Sequence, residues 1–195
     1  MLIYLHGFRS APASHKARLL GDRMRQRTMA DRYWSEQLAV SPRAAIGMVE
    51  SVIAQSGVRP TLVGSSLGGF YATYLAEKHD LAAVLINPAV VAHLSLSGYL
   101  GPQTNLYTGE TFEFTHQHIA ELQELEVPQL KRPERFWLLL ETGDEVLDYR
   151  QAVERYAGAR QTVVEGGDHS FRQFQTYVDP IIDLACGQMT VDGSS

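Results

Sequence analysis

Apolar residues in this chain gather into short continuous runs, separated by stretches where they recur at helical spacing. That alternation suits strands buried on both faces with helices packed between them. Leu2 to Leu5, Thr61 to Val63, Ala82 to Ile86, Phe136 to Leu140 and Gln161 to Val164 read as strands, with Thr28 to Tyr33 a weaker sixth. Ala17, Leu20 and Met24 fall on one side of a helix over Ser14 to Gln26. Ser41-Pro42 has the form of an N-cap followed by a first-turn proline. The helix it opens carries Ile46, Val49, Val52 and Ile53 on one side and is expected to end near Gly57. Further helices are expected over Leu67 to Lys78, Tyr149 to Tyr156 and Phe171 to Cys186. In the last, Pro180 is expected to kink or split the apolar stripe of Phe174, Val178, Ile181, Ile182 and Ala185. The fold class is therefore α/β, a three-layer α/β/α sandwich around a mostly parallel sheet of about six strands with right-handed crossovers.

The alternation stops between residues 90 and 135. Gly98, Gly101, Pro102 and Gly109 mix there with Tyr99, Tyr107, Phe112 and Phe114, and only His116 to Leu125 has helical spacing. A connection of this length in a compact domain is usually functional, so a lid or cap insertion is expected. Residues 187–195 are polar and expected to fray. At 195 residues and 45% apolar content, the chain supports a single domain over 1–195.

Charge and cysteine usage narrow the partners. A formal charge of -5 disfavours nucleic acid, which wants a basic surface. Basic residues do cluster early, at Arg9, Lys16, Arg18, Arg23, Arg25, Arg27 and Arg32. They read either as a solvated face or as a rim that attracts anionic substrates such as a coenzyme A thioester. One cysteine, Cys186, permits no intrachain disulfide and suits a reducing compartment. No basic segment with a long apolar core precedes the first strand, and no run approaches the ~20 residues of a membrane span, so a cytoplasmic location is expected.

The chemistry lies at the strand ends. Gly64-Ser65-Ser66-Leu67-Gly68 follows a strand and opens a helix, the order a nucleophile elbow requires. Leu5-His6-Gly7-Phe8 lies upstream, with Gly143-Asp144 and Gly167-Asp168-His169 downstream. Ser, Asp, His is the order of α/β hydrolases and differs from that of the two common serine protease folds. In open parallel sheets, ligands bind outside the carboxyl ends of the strands, so these distant residues should converge. Ser66 is expected as nucleophile, His169 as its base and Asp144 as the carboxylate that orients the imidazole. Asp148 competes for that last role, with Glu145 weaker, although Asp148 could instead cap the helix at Tyr149. Asp168 reads as a turn former. Backbone N–H groups of Leu67 and Phe8 are expected to receive the oxyanion, with His6 bracing the Phe8 loop. Tyr107, Phe112 and Phe114 are expected to wall an acyl pocket, or alternatively to pack as a satellite core. His93, His116 and His118 lack the register of a metal site, and no cofactor is expected.

Together, Leu5 to Ser10, Gly64 to Ala72, Asn87-Pro88-Ala89 and Gly167 to Phe171 resemble the small bacterial serine esterase family typified by YqiA. The resemblance covers Met1 to about Leu184. It implies a reduced α/β-hydrolase fold lacking the first two strands of the full fold. It also implies a carboxylesterase acting on short acyl esters through an acyl-enzyme, with acyl-CoA thioester hydrolysis as the alternative. Ser66, His169 and Asp144 match its catalytic positions, and Phe8 and Leu67 its backbone donors. A binding protein on a hydrolase fold is a third, weaker reading. The partner expected is a small ester or thioester.

Overall fold

The structure is a computed structural model that describes residues 1–187. Most of the stretch expected to fray, residues 188–195, lies outside the described residues. Strands β1 (Leu2–Leu5), β2 (Tyr33–Trp34), β3 (Thr61–Ser65), β4 (Ala83–Ile86), β7 (Phe136–Glu141) and β8 (Arg160–Val164) form one sheet in the order β2-β1-β3-β4-β7-β8. Every neighbouring pair is parallel, with Tyr4 opposite Val63, Gly64 opposite Leu85 and Leu85 opposite Leu138.

Side chains alternate across this sheet and divide its core in two. Ile3, Leu5, Leu62, Leu85, Leu138 and Leu140 face one way, under α2 (Pro42–Gln55), α3 (Leu67–His79) and α6 (Tyr149–Arg155). Leu2, Tyr4, Val63, Val84, Ile86 and Leu139 face the other, under α1 (His15–Gln26) and α7 (Phe174–Ala185). The helices explain why the central strands are apolar throughout: neither face meets water. The three layers are those expected from the sequence.

Three local departures have physical causes. The weak strand over Thr28 to Tyr33 reduces to Tyr33–Trp34, because Thr28 and Met29 are used to end α1. Thr28 takes a φ of 57°, and the Met29 amide donates to the Met24 carbonyl. Pro180 sits inside α7 without splitting it. Val178, Ile181 and Ile182 are buried against the sheet, and Arg23 of α1 and Arg27, which caps its end, pair with Asp179 and Asp183, so both turns are held in place. That helix begins at Phe174 rather than Phe171, whose φ of 57° belongs to the preceding turn.

The third departure lies in the 90–135 segment, where β5 (Gly101–Thr104) and β6 (Thr111–Phe114) pair as an antiparallel hairpin. No strand was legible there, since four-residue strands of mixed polarity carry little pattern. The segment also holds α4 (Ala92–Ser95) and α5 (His116–Glu124). Thr115 and His118 close a capping box at the start of α5, which occupies the His118 ring. Glu121 then accepts from Ser41 Oγ at 2.7 Å and from the Arg43 amide at 3.2 Å, fastening α5 to the first turn of α2.

Among the described residues, no helix is long and apolar enough to cross a membrane. Central and edge strands should differ sharply in tolerance. Leu139→Ala empties a fully buried site and should cost ~2–5 kcal/mol in urea unfolding. Val163→Thr, on the edge strand and 44% exposed, should stay within ~0.5 kcal/mol. Equal midpoints for the two variants would contradict the strand order.

Candidate active site

The turn between β3 and α3 turns on two glycines. A Cβ at Gly64 would lie 2.2 Å from the Gly68 carbonyl oxygen, and one at Gly68 would lie 2.0 Å from the Leu5 oxygen. Neither approach is possible for a larger residue. Ser66 stands between them at φ 55° and ψ -120°, a strained backbone for a non-glycine residue. Its amide donates to Ile86, and its carbonyl accepts from Gly69 and Ala89, which holds the strain in place.

This turn places Ser66 Oγ 3.0 Å from His169 Nε2. On the other side of the ring, His169 Nδ1 lies 2.8 Å from Asp144 Oδ2 and 3.0 Å from Oδ1. The Asp144 side chain is 2% exposed, and its Oδ1 accepts the amides of Val146 and Leu147 at 2.9 and 2.8 Å. A carboxylate so fixed can hold one imidazole tautomer with Nε2 directed at Ser66. Asp148, the competitor, accepts the Arg150 amide at 3.0 Å and caps α6. Glu145 receives the His169 backbone amide, and Asp168 closes the next turn through the Ser170 amide. Arg172 bonded to Asp168 holds that carboxyl below its ordinary range.

Two further residues shape the histidine loop: Asn87, part of the Asn87-Pro88-Ala89 motif but given no role from the sequence, and Glu141, which was not singled out. Asn87 Nδ2 donates to the carbonyls of Asp168 and His169, while its Oδ1 accepts from the Glu141 amide. Glu141 is wholly buried, and its carboxylate accepts the amides of Asp168, Arg172 and Gln173 at 2.8, 3.0 and 3.1 Å. Gly167 lies so close that a Cβ there would sit 1.9 Å from Glu141 Oε2. The sequence signal is slight: a charged residue closing an apolar strand, and an asparagine before a proline. Lys16 adds a tether from α1, donating to the Ser170 carbonyl at 2.8 Å; burial pulls its ammonium down to about 8.

The first loop meets Ser66 from above. A Cβ on Gly7 would touch Ser66 Cβ at 3.2 Å, so the Gly7–Phe8 peptide runs beside the serine. His6 Nε2 accepts the Leu38 amide at 3.0 Å, leaving Nδ1 to donate to the Gly7 carbonyl at 2.9 Å. Burial lowers the His6 imidazole, which keeps it in this neutral form. In a trans peptide the carbonyl and the following N–H point in opposite directions, so holding the Gly7 oxygen fixes the Phe8 N–H. The Leu67 N–H is at the first position of α3, where no intrahelical acceptor reaches it.

Two cavities flank the Phe8 ring. Ser66 and His169 open into one of about 350 Å³, walled by Leu96, Tyr99, Leu106 and Leu147. The other, of about 550 Å³, lies between β1, α2, α3 and the hairpin. Phe112 and Phe114 line this second cavity, meeting the Phe8 ring edge-on at 5.9 and 5.0 Å. Tyr107 is half exposed and lines neither. Thus Ser66, Asp144 and His169 come together, whereas Tyr107, Phe112 and Phe114 do not reach the Ser66 cavity. Of the early basic residues only Arg9 lines the cavities, since Arg23 and Arg27 are engaged with α7.

A model of the uncharacterised protein family UPF0227 matches residues 1–186. The chain belongs to that family. This agrees with the resemblance drawn from its motifs. Among solved structures, it is similar to mouse alpha/beta hydrolase domain-containing protein 10 at 18% identity and a TM-score of 0.67, covering 93% of this chain and 89% of that one. It is similar to Est1E from Butyrivibrio proteoclasticus at 12% identity and a TM-score of 0.65, over 96% and 87% of the two chains. A monoacylglycerol lipase from Paleococcus ferrophilus matches at 15% identity and a TM-score of 0.64, over 93% of each chain. Likeness at these identities establishes the fold, that of the α/β hydrolases.

The buried carboxylate offers a direct check on this loop. In Glu141→Gln, whichever way the amide turns, its NH₂ must face a backbone N–H that the carboxylate now satisfies. Stability should fall by ~1–3 kcal/mol in urea unfolding. An unchanged midpoint would mean that the loop does not depend on these bonds.

Proposed function

We propose that this chain is a serine carboxylesterase that hydrolyses short acyl esters through an acyl-enzyme at Ser66. The observation that carries the reading is the continuous chain from Ser66 Oγ to His169 Nε2 at 3.0 Å and from His169 Nδ1 to Asp144 Oδ2 at 2.8 Å. His169 Nε2 takes the Ser66 proton as Oγ bonds to the carbonyl carbon, and Asp144 stabilises the imidazolium that results. The carbonyl oxygen becomes an oxyanion facing the N–H groups of Leu67 and Phe8, each such donor being worth about 3 kcal/mol in the transition state. Collapse breaks the bond to the alcohol oxygen, which receives the proton from His169. Water then repeats the sequence on the acyl-enzyme, releasing the acid and restoring Ser66. Metal and cofactor have no part in these steps.

The same groups could act on a thioester. Of the basic cluster that favoured an acyl-CoA substrate, Arg23 and Arg27 pair with α7 and only Arg9 lines the two cavities, so the ester reading is preferred. Residues 90–135 supply Leu96, Tyr99 and Leu106 to the cleft, and we assign them the role of a cover over Ser66.

A fluorophosphonate probe should label Ser66 stoichiometrically, read by intact mass, and Ser66→Ala should take no label. Asp144→Asn should reduce kcat on p-nitrophenyl acetate by up to ~10⁴-fold. Asp148→Asn should have little effect, because asparagine caps a helix as well as aspartate does. A large loss at Asp148 with little at Asp144 would reverse the assignment, and an unlabelled Ser66 would sink the serine mechanism.

A further inference from the structure

We propose that the cavity of about 550 Å³ behind Phe8 is the acyl subsite, selecting acyl groups whose apolar body ends in a hydrogen-bonding oxygen read by Tyr71. The inference rests on the esterase reading above. Its first part follows from the direction of proton transfer. The leaving alcohol oxygen must take its proton from His169, so the alcohol lies on the His169 side of the carbonyl carbon. His169 lines the smaller cavity and is absent from the wall of the larger.

Phe8 and Leu67, the two oxyanion donors, line both cavities. The larger one also has Gly7 in its wall, and a Cβ at Gly7 would stand 3.7 Å from Ser66 Oγ. The carbonyl carbon over Ser66 therefore sits at the junction. Its oxygen faces the donors and its alcohol faces His169, so the acyl chain is directed past Gly7 into the larger cavity.

The second part comes from Tyr71. It follows Leu67 by four residues and shares its face of α3, roughly 6 Å further along the axis. Tyr71 is 3% exposed and lines the cavity. Its hydroxyl is hydrogen-bonded to no group among the described residues and is not one of their fully buried unpartnered atoms, so it is open to a ligand, with the Glu121 carboxylate the one charge that acts on it. Burial pushes this phenol far above its ordinary range, so it remains a donor. Leu38, Met48, Phe112 and Phe114 line the same cavity and offer an apolar path to it. An acetyl group is too short to reach Tyr71, whereas a hydroxyphenylpropanoyl group has both the apolar body and the terminal oxygen.

The test compares methyl 3-(4-hydroxyphenyl)propanoate with methyl 3-phenylpropanoate, using p-nitrophenyl acetate to report the triad alone. Wild-type enzyme should favour the hydroxylated ester by about tenfold in kcat/KM, the scale of one buried hydrogen bond. Tyr71→Phe should bring that ratio close to one. Independently, Phe112→Trp should lower kcat/KM for both aryl esters relative to p-nitrophenyl acetate by narrowing the cavity. A wild-type ratio near one, or a preference that survives in Tyr71→Phe, would overturn the role of Tyr71. Turnover of p-nitrophenyl acetate with neither aryl ester accepted, or an unchanged relative rate in Phe112→Trp, would overturn the acyl subsite. Failure to turn over all three esters would instead sink the esterase reading.

Discussion

The site depends on how closely α3 packs, backbone against backbone, on the first and third strands. Gly68 approaches the Leu5 carbonyl and Gly64 approaches Gly68, at separations that leave no room for a side chain. That closeness brings the end of β1, the strained Ser66 turn and the open amide of Leu67 into one small volume. A longer reach would separate the Phe8 loop from Ser66 and leave the proposed oxyanion donors on opposite sides of a gap. The strain at Ser66 is maintained by its own backbone bonds to Ile86, Gly69 and Ala89, so the serine hydroxyl is presented without flexibility in the main chain.

A second layer of constraint acts from the other half of the sheet. Asp144 follows the end of β7, and His169 follows β8 by a short turn. Their relative position is fixed by two further groups: Asn87 at the end of β4 and Glu141 at the end of β7. Burying a carboxylate is costly unless its lone pairs are satisfied, and here three backbone amides satisfy them. The result is a histidine whose loop is bonded to β4, to β7 and, through Lys16, to α1.

How much of this was legible in the sequence depended on the range of the interactions. The strands buried on both faces announced themselves as apolar runs, and the elbow glycines are required by sterics local to a few residues. Asp144 could be preferred over Asp148 on the same local grounds, by its place beside a glycine turn. The hairpin was not legible, because β5 and β6 are short and gain their definition from pairing with each other and from Phe8. Glu141 was missed, and Asn87 was noted in its motif without a role, for a related reason: their partners are separated from them by tens of residues. Phe112 and Phe114 were read as walls of an acyl pocket or, alternatively, as a satellite core, and which cavity they line depends on the Phe8 ring, a matter of tertiary packing.

The hairpin is also bonded to the loop that follows β1. The Leu106 amide donates to the Arg9 carbonyl at 2.8 Å, Arg9 Nε donates to the Thr104 carbonyl at 2.9 Å, and Asn105 reaches the Ser10 carbonyl. Arg9 holds a positive φ of 56° between these contacts. The hairpin and the proposed oxyanion loop are therefore one mechanical unit. In descent from a common ancestor, an insertion or substitution in the hairpin would be inherited as a change in both cavity shape and donor placement. Specificity in this architecture would then drift together with rate, and divergence toward new substrates would favour changes on the α2 and α4 walls, where the cavities can be reshaped without pulling on the loop.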